Sequence, residues 1–156
     1  MQYDIIIIGG GMVGQAFALS MAKHNLNIAI IEPNNPNPKI QENFHTRVSA
    51  ITPTSEALLK DIGVWDLIQR KQAFSNTHVW DENSHGHLEF SATDDDSTHL
   101  GHIIENDCIQ SAMYGALSDT KVEFIGAKLD SFDKTEQGYR VILDDDKQLE
   151  CSLLIG

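Results

Sequence analysis

Tyr3-Asp4-Ile5-Ile6-Ile7-Ile8-Gly9-Gly10-Gly11-Met12-Val13-Gly14 is the stretch that decides the fold. Ile5 to Ile8 is an unbroken β-branched run. It does not alternate with polar residues, so both faces are expected to be buried, as in a central strand of a parallel sheet. The run ends in glycines spaced Gly9-x-Gly11-x-x-Gly14. Gly9 turns the chain sharply out of the strand, Gly11 lets a pyrophosphate approach bare backbone, and Gly14 lets the following helix lie close on the strand. The amides of that helix start then face the phosphates. The segment from Met12 to His24 is helix-forming, a second apolar strand is expected over Asn27 to Ile31, and Glu32 closes it. That acid stands near the spacing at which a carboxylate accepts hydrogen bonds from a ribose hydroxyl. Four elements in this order point to a dinucleotide site rather than to a glycine turn of some other α/β protein.

The 156 residues suffice for one domain with a real core. No apolar run approaches the ~20 residues of a membrane span. The first apolar run lacks a basic lead and is broken by glycines, so it reads as a strand and not a signal peptide. Cys108 and Cys151 fit neither a metal spacing nor a disulfide framework, which points to reducing cytoplasm. A net charge of −12 argues against nucleic acid and against anionic lipid as partners of this part of the chain.

Pro33-Asn34-Asn35-Pro36-Asn37-Pro38 is an exposed loop by composition. It leads to Phe44-His45-Thr46-Arg47-Val48-Ser49-Ala50-Ile51-Thr52, in which Arg47 is either a cap or surface partner, or a planar fork reaching a pyrophosphate. A helix starts at Pro53-Thr54-Ser55-Glu56 and stops at Gly63, with a turn over 64–68. Thr77 to Asp81 and His87 to Phe90 form a hairpin around Asn83-Ser84-His85-Gly86. Asp94-Asp95-Asp96-Ser97 reads as a solvated loop without the alternation of a calcium loop. Asp81, His85 and His87 fall short of a metal site, since no third strong ligand is set by the sequence. Leu100 to Glu105 is a short strand. Asn106 is expected to cap a helix with Ile109, Met113 and Leu117 on one face, and Cys108 to be an inert core thiol. Lys121 to Ile125 is a third parallel strand. Lys128 to Asp133, Tyr139 to Leu143 and Gln148 to Ile155 form an antiparallel meander whose last strand enters the core. An apolar strand running into Gly156 suggests that the chain is the first part of a longer protein, because binding loops follow the carboxyl ends of parallel strands.

Three stretches together are more specific than the glycines alone. They are Asp4 to Gly14 with Glu32, Arg47-Val48-Ser49-Ala50-Ile51-Thr52-Pro53, and Leu100-Gly101-His102-Ile103-Ile104-Glu105-Asn106 with Ile109-Gln110. With them the chain resembles the FAD-dependent aromatic hydroxylases of ubiquinone biosynthesis, within the p-hydroxybenzoate hydroxylase fold group. The resemblance covers the whole chain, since Ser55 to Trp65 also matches that family's leucine-rich helix. It implies that Gly9, Gly11 and Gly14, with the amides of Met12 and Val13, hold the FAD pyrophosphate. It implies further that Glu32 holds the adenosine ribose, that Arg47 lies along the pyrophosphate toward the flavin, that backbone near Leu129 meets the adenine edge, and that His102 sits on the isoalloxazine side. Two departures stand out. Asp107 occupies a position where the family usually has arginine. The family's later Ala-Asp-Gly and Gly-Asp motifs, which contact FAD, are not in these residues.

The expected fold is α/β: a Rossmann-like FAD-binding domain with a parallel sheet, an antiparallel β-meander crossover and the start of a second small β layer. Residues 1–156 would be the N-terminal part of that domain, with a hairpin at about 74–91 belonging to the substrate side. The whole protein would be a monooxygenase in which NAD(P)H reduces FAD, O₂ reacts with it, and a polyprenyl phenol is hydroxylated, with no metal and no general base assigned. It would be cytoplasmic, with peripheral attachment to the inner membrane and association with itself or with other ubiquinone-biosynthesis proteins left open. The rival readings are another FAD enzyme on the same half-fold, such as an amine oxidase or halogenase, and a non-catalytic nucleotide-binding module.

Overall fold

The computed structural model describes residues 2–34, 37–82, 85–95 and 97–156. The expected hairpin residues Asn83 and Ser84, the loop residues Asn35 and Pro36, and Asp96 lie outside the described residues.

Strand β1 (Gln2–Ile8) is the centre of a six-stranded sheet. It pairs in parallel with β2 (Ile28–Ile31) on one side and with β11 (Gln148–Ile155) on the other. Strand β8 (Glu123–Ile125) extends the parallel part beyond β2. Strands β10 (Gly138–Leu143) and β9 (Leu129–Thr135) continue it antiparallel beyond β11. The isoleucine run explains itself here. Ile5 and Ile7 enter a core with Ala18, Leu19, Ile109 and Met113 from the helices. Ile6 enters a second core with Ile31, Val141, Leu143 and Leu149 from the meander side. One face of the sheet is therefore covered by helices and the other by the meander, as the unbroken apolar run requires.

Helix α1 (Met12–Ala22) and helix α3 (Asn106–Leu117) form the helical layer. The expected extension of α1 to His24 stops two residues early, because Asn25 adopts φ 53° and turns the chain toward β2. Helix α2 (Pro53–Asp61) begins as read: Thr52 caps it by accepting from the Ser55 amide, and Pro53 occupies its first turn. It ends before Gly63, at φ 74°.

A three-stranded antiparallel sheet stands apart from the main one, in the order β3 (Val48–Ile51), β7 (Gly101–Glu105), β4 (Gln72–Phe74). Of these, only β7 is expected as a strand from sequence. Strands β5 (Asn76–Trp80) and β6 (His87–Ser91) form the anticipated hairpin as a separate two-stranded sheet. The expected cap at Asn106 is corrected. Glu105 is the cap residue, and Asn106 is the first residue of α3. Its amide donates to Arg47 O at 3.1 Å and its Oδ1 accepts from Ser49 Oγ at 2.7 Å, so Asn106 serves the junction with β3 instead of the helix start.

Candidate functional site

The glycine loop leaves β1 at the point where neighbours on its two sides are reached in opposite directions, which is where open α/β sheets place their ligands. Gly9 has φ 104°, a conformation suited to glycine, and its amide donates to Ile31 O at 2.9 Å. A β-carbon on Gly11 would meet open space, so the loop presents bare backbone outward. A β-carbon on Gly14 would lie 2.2 Å from Gly9 O and 3.3 Å from the Ile7 side chain, so this glycine sets the closeness of α1 to loop and strand. Gly11 caps α1 without any side-chain cap bond, and the first turn holds no acid. The first-turn amides thus face outward with the positive end of an eleven-residue helix behind them.

Two residues that the motif reading passed over complete this loop. A β-carbon on Gly10 would meet the Glu32 side chain at 3.0 Å, so Gly10 is the surface on which that acid rests. Gln15 is fully buried, and its Nε2 donates to Gly10 O at 2.6 Å, bracing the loop from inside the helix. The tripled glycine is a signal for Gly10; a lone glutamine in an apolar helix is the signal for Gln15.

Glu32 Oε2 accepts from the Gly10 amide at 2.9 Å, while Oε1 accepts from the Asn34 amide at 2.9 Å and its side-chain nitrogen at 3.0 Å. Burial pushes its carboxyl upward, but these hydrogen bonds outweigh it and hold the group below the ordinary carboxylate value. A carboxylate has about four acceptor positions, and three are used, so one remains for a ligand hydroxyl. Beside Glu32, whose amide donates to Ile125 O at 3.0 Å, the chain runs through 126–128 to Leu129 at the start of β9.

A cleft of about 380 Å³ opens along Gly9, Gly11, Val13, Phe17 and Ile155. It shares Met12, Val13 and Phe17 with an apolar cleft of about 400 Å³ that reaches Ser49, Leu58 and Met113. A larger cavity of about 680 Å³ lies beyond the carboxyl ends of α1 and α3, away from the glycine loop.

Arg47 is exposed, and among the described residues its guanidinium makes no ion pair or hydrogen bond. Its backbone is held instead. Glu105, buried at the end of β7, pairs with Arg70 at 2.8 Å through Nε and 3.1 Å through Nη2, and accepts from the His45 amide at 2.7 Å. Arg70 also donates to Gln41 O and Glu42 O and lies over the Phe44 ring at 5.3 Å. This one ion pair therefore gathers the loop 41–45 that leads into Arg47. Asp107 sits in the first turn of α3, where the helix dipole favours an acid.

His102 is turned away from solvent, with Nδ1 3.1 Å from Glu56 Oε2 and its ring edge-on to Trp65 at 5.0 Å. Thus Gly9, Gly11, Met12, Val13, Gly14 and Glu32 come together at one mouth, and Leu129 follows the strand beside Glu32. Arg47 reaches outward from the neighbouring sheet, and the His102 ring belongs to a different cluster. Among the described residues, the metal-capable atoms that converge are those of Glu56, His99 and His102, not of Asp81, His85 and His87.

The family described as lycopene cyclase protein matches residues 4–156. The chain belongs to this family. Curated relatives that it matches include ubiquinone-biosynthesis hydroxylases, the family that the three stretches resemble. The 3-demethoxyubiquinol 3-hydroxylase of Escherichia coli is 37% identical over 73% of this chain and 30% of that protein. The mitochondrial ubiquinone biosynthesis monooxygenase of Caenorhabditis elegans is 31% identical over 99% of this chain and 37% of that protein. The chain thus spans about a third of the length of these relatives, at their N-terminal part. Among solved structures, the flavin-dependent monooxygenase PieE in complex with FAD and substrate covers 100% of this chain with 30% of its own, at 12% identity and a TM-score of 0.75. That likeness bears out the α/β fold. No described helix is long and apolar enough to cross a membrane.

Proposed function

We propose that this chain is the ADP-binding portion of the FAD domain of a flavin-dependent monooxygenase that hydroxylates a polyprenyl phenol in ubiquinone biosynthesis. The observation that carries the reading is the Gly9-to-Gly14 loop with Glu32 bonded across it, in a chain whose matched relatives are ubiquinone-biosynthesis hydroxylases. The residues present fit FAD: bare backbone at Gly11 with open space above it, uncapped amides behind it, and a carboxylate with one acceptor position left.

FAD, when bound, supplies the redox chemistry and the reaction with O₂, with NAD(P)H as reductant; the protein binds, orients and excludes water. The amides of Met12, Val13 and Gly14 and the positive end of α1 hold the diphosphate. Glu32, ionised well below neutrality, accepts from a ribose hydroxyl. Arg47 adds a fixed cation along the diphosphate, carried by a loop that Arg70 and Glu105 anchor. Backbone at Leu129 borders the adenine edge. His102 contributes to the flavin side through the position of its strand, since its imidazole lies against Glu56 and Trp65. Hairpin β5–β6 belongs to the substrate-side layer: Val79, Leu88 and Phe90, all large, apolar and exposed, share one face by register with the half-buried Thr77. The polyprenyl phenol, O₂, NAD(P)H, a homo-oligomer or other ubiquinone-biosynthesis proteins as partners, and peripheral membrane attachment belong to the whole enzyme in this reading. The test is Glu32→Gln in the full-length protein, followed by FAD titration. A weaker cofactor with an intact fold supports the reading, and unchanged affinity removes Glu32 from it.

A further inference from the structure

We propose that Glu56, His99 and His102 form a binding site for a borderline divalent metal of the zinc type, separate from the glycine loop and independent of the FAD reading. Glu56 comes from α2, His102 from β7 and His99 from the loop before it, so the site ties a helix to the three-stranded sheet. Glu56 Oε2 lies 3.1 Å from His99 Nε2 and 3.1 Å from His102 Nδ1, and all three ligand atoms fall within 4.8 Å of one another. Ligands about 2.0–2.2 Å from a tetrahedral zinc stand roughly 3.3–3.6 Å apart, so the two 3.1 Å separations from Glu56 need to open only slightly. Two imidazoles and one carboxylate suit zinc, nickel or cobalt better than magnesium or calcium, and leave a fourth position for water.

A second observation separates this from an ordinary hydrogen-bonded cluster. His102 Nδ1 is buried and has no hydrogen-bond partner, because its approach to Glu56 meets the distance but not the angle of a hydrogen bond. A buried ring nitrogen left unsatisfied calls for an ion or water at that point. The outer contacts match what a ligand set needs. Thr98 Oγ1 lies 2.9 Å from His99 Nδ1, so a proton at Nδ1 has an acceptor when Nε2 turns from Glu56 to a metal. Lys60 Nζ bonds Glu56 Oε1 at 2.6 Å, which leaves Oε2 as the ligand atom. The ammonium opposes a cation nearby, but the Lys60 side chain is 57% exposed, so water screens it and it is free to swing outward.

The experiment uses the 156-residue chain stripped of metal with a chelator and titrated with Co²⁺ as the probe, Zn²⁺ as competitor. The expected result is saturation at one equivalent, visible ligand-field bands, quenching of Trp65 fluorescence through the adjacent His102, and displacement by Zn²⁺. His99→Gln and His102→Gln should each weaken Co²⁺ at least tenfold, while His87→Gln leaves it unchanged. Absence of a saturable one-equivalent site overturns the proposal, as does equal affinity in the His99 and His102 variants. Should either variant fail to fold by circular dichroism, the unaltered chain decides: Co²⁺ must shift the His99 and His102 ring resonances before those of other histidines.

Discussion

The glycine loop and the Arg47 loop are both assigned to the cofactor in the proposed reading, yet they are built by opposite means. From Gly9 to Gly14 the geometry is set by what the chain lacks: side chains. Its closest restraints, Gly10 against Glu32 and Gly14 against Gly9, lie within 22 residues in sequence. The Arg47 loop is set by what distant side chains add. Glu105 lies 60 residues from His45, and Arg70 lies 35 residues from Glu105. The first is fixed where Gly14 lies against the Gly9 carbonyl and is braced by the nearby Glu32 and Gln15 side chains; the second depends on one ion pair remaining formed.

The sharpest way to break the comparison is at Gly11 and Gly14. Gly11→Val places a side chain where the diphosphate would lie, and its β-carbon meets nothing within 4 Å in the protein. In the full-length protein it should abolish FAD binding, a loss of at least about 100-fold, or roughly 3 kcal/mol, with the thermal midpoint kept. Visible absorbance after gel filtration measures this. Gly14→Ala should do the reverse, since its new methyl would meet the Gly9 carbonyl at 2.2 Å. A cost of about 3 kcal/mol is expected, at the upper end for overpacking, read by urea unfolding.

The second test removes the side-chain anchor. Arg70→Met leaves Glu105 buried without its partner, and breaking a buried pair costs about 3–5 kcal/mol. The lower end applies, because the Arg70 side chain is 27% exposed. Protease cleavage within 41–47 should rise while cleavage near the glycine loop stays unchanged. Equal protection of both regions would show that the Arg47 loop is held by β3 pairing alone.

A smaller effect is expected at Glu32. Replacing the carboxylate by an amide keeps its shape but converts one oxygen to a donor facing the Gly10 or Asn34 donors. Glu32→Gln in the full-length protein should weaken FAD by about 1–3 kcal/mol, the range for hydrogen bonds to charged groups, measured by titration.

This contrast also accounts for what was legible in the sequence. The parallel core, its double-sided burial, the meander and the hairpin follow from local patterns, and so does the glycine mouth. Strands β3 and β4 escaped because, unlike the fully buried apolar run of β2, they are short and exposed or half-buried throughout, so they carry no apolar run to mark them. Asn106 misled because the sequence favours it as a cap, whereas tertiary structure directs its side chain to Ser49. Arg70 carried no local mark at all, and its role appears only when Glu105 is brought beside it. His102 matched a family stretch, but the stretch says nothing of Glu56, 46 positions earlier, against which the ring turns.

The smallest predicted effect concerns that last cluster in its metal-free state. Lys60 lowers the Glu56 carboxyl below its ordinary value of 4.5, with His99 acting in the same direction and burial opposing both. A carboxyl depressed in the folded state adds stability above its ordinary value, and that stability fades as the pH falls through the lower folded value. Lys60→Gln removes the largest cause. Because Lys60 is exposed and sits one helical turn from Glu56, the expected cost at pH 7 is only about 0.3–0.5 kcal/mol. The difference between variant and unaltered chain should shrink as the pH falls through the lowered folded value of Glu56. Urea midpoints at pH 7 and at successively lower pH, with chelator present, measure it. A difference that persists undiminished in acid would mean that Lys60 acts through its packing over Trp65, whose ring centre lies 5.7 Å from the ammonium, and not through its charge on Glu56.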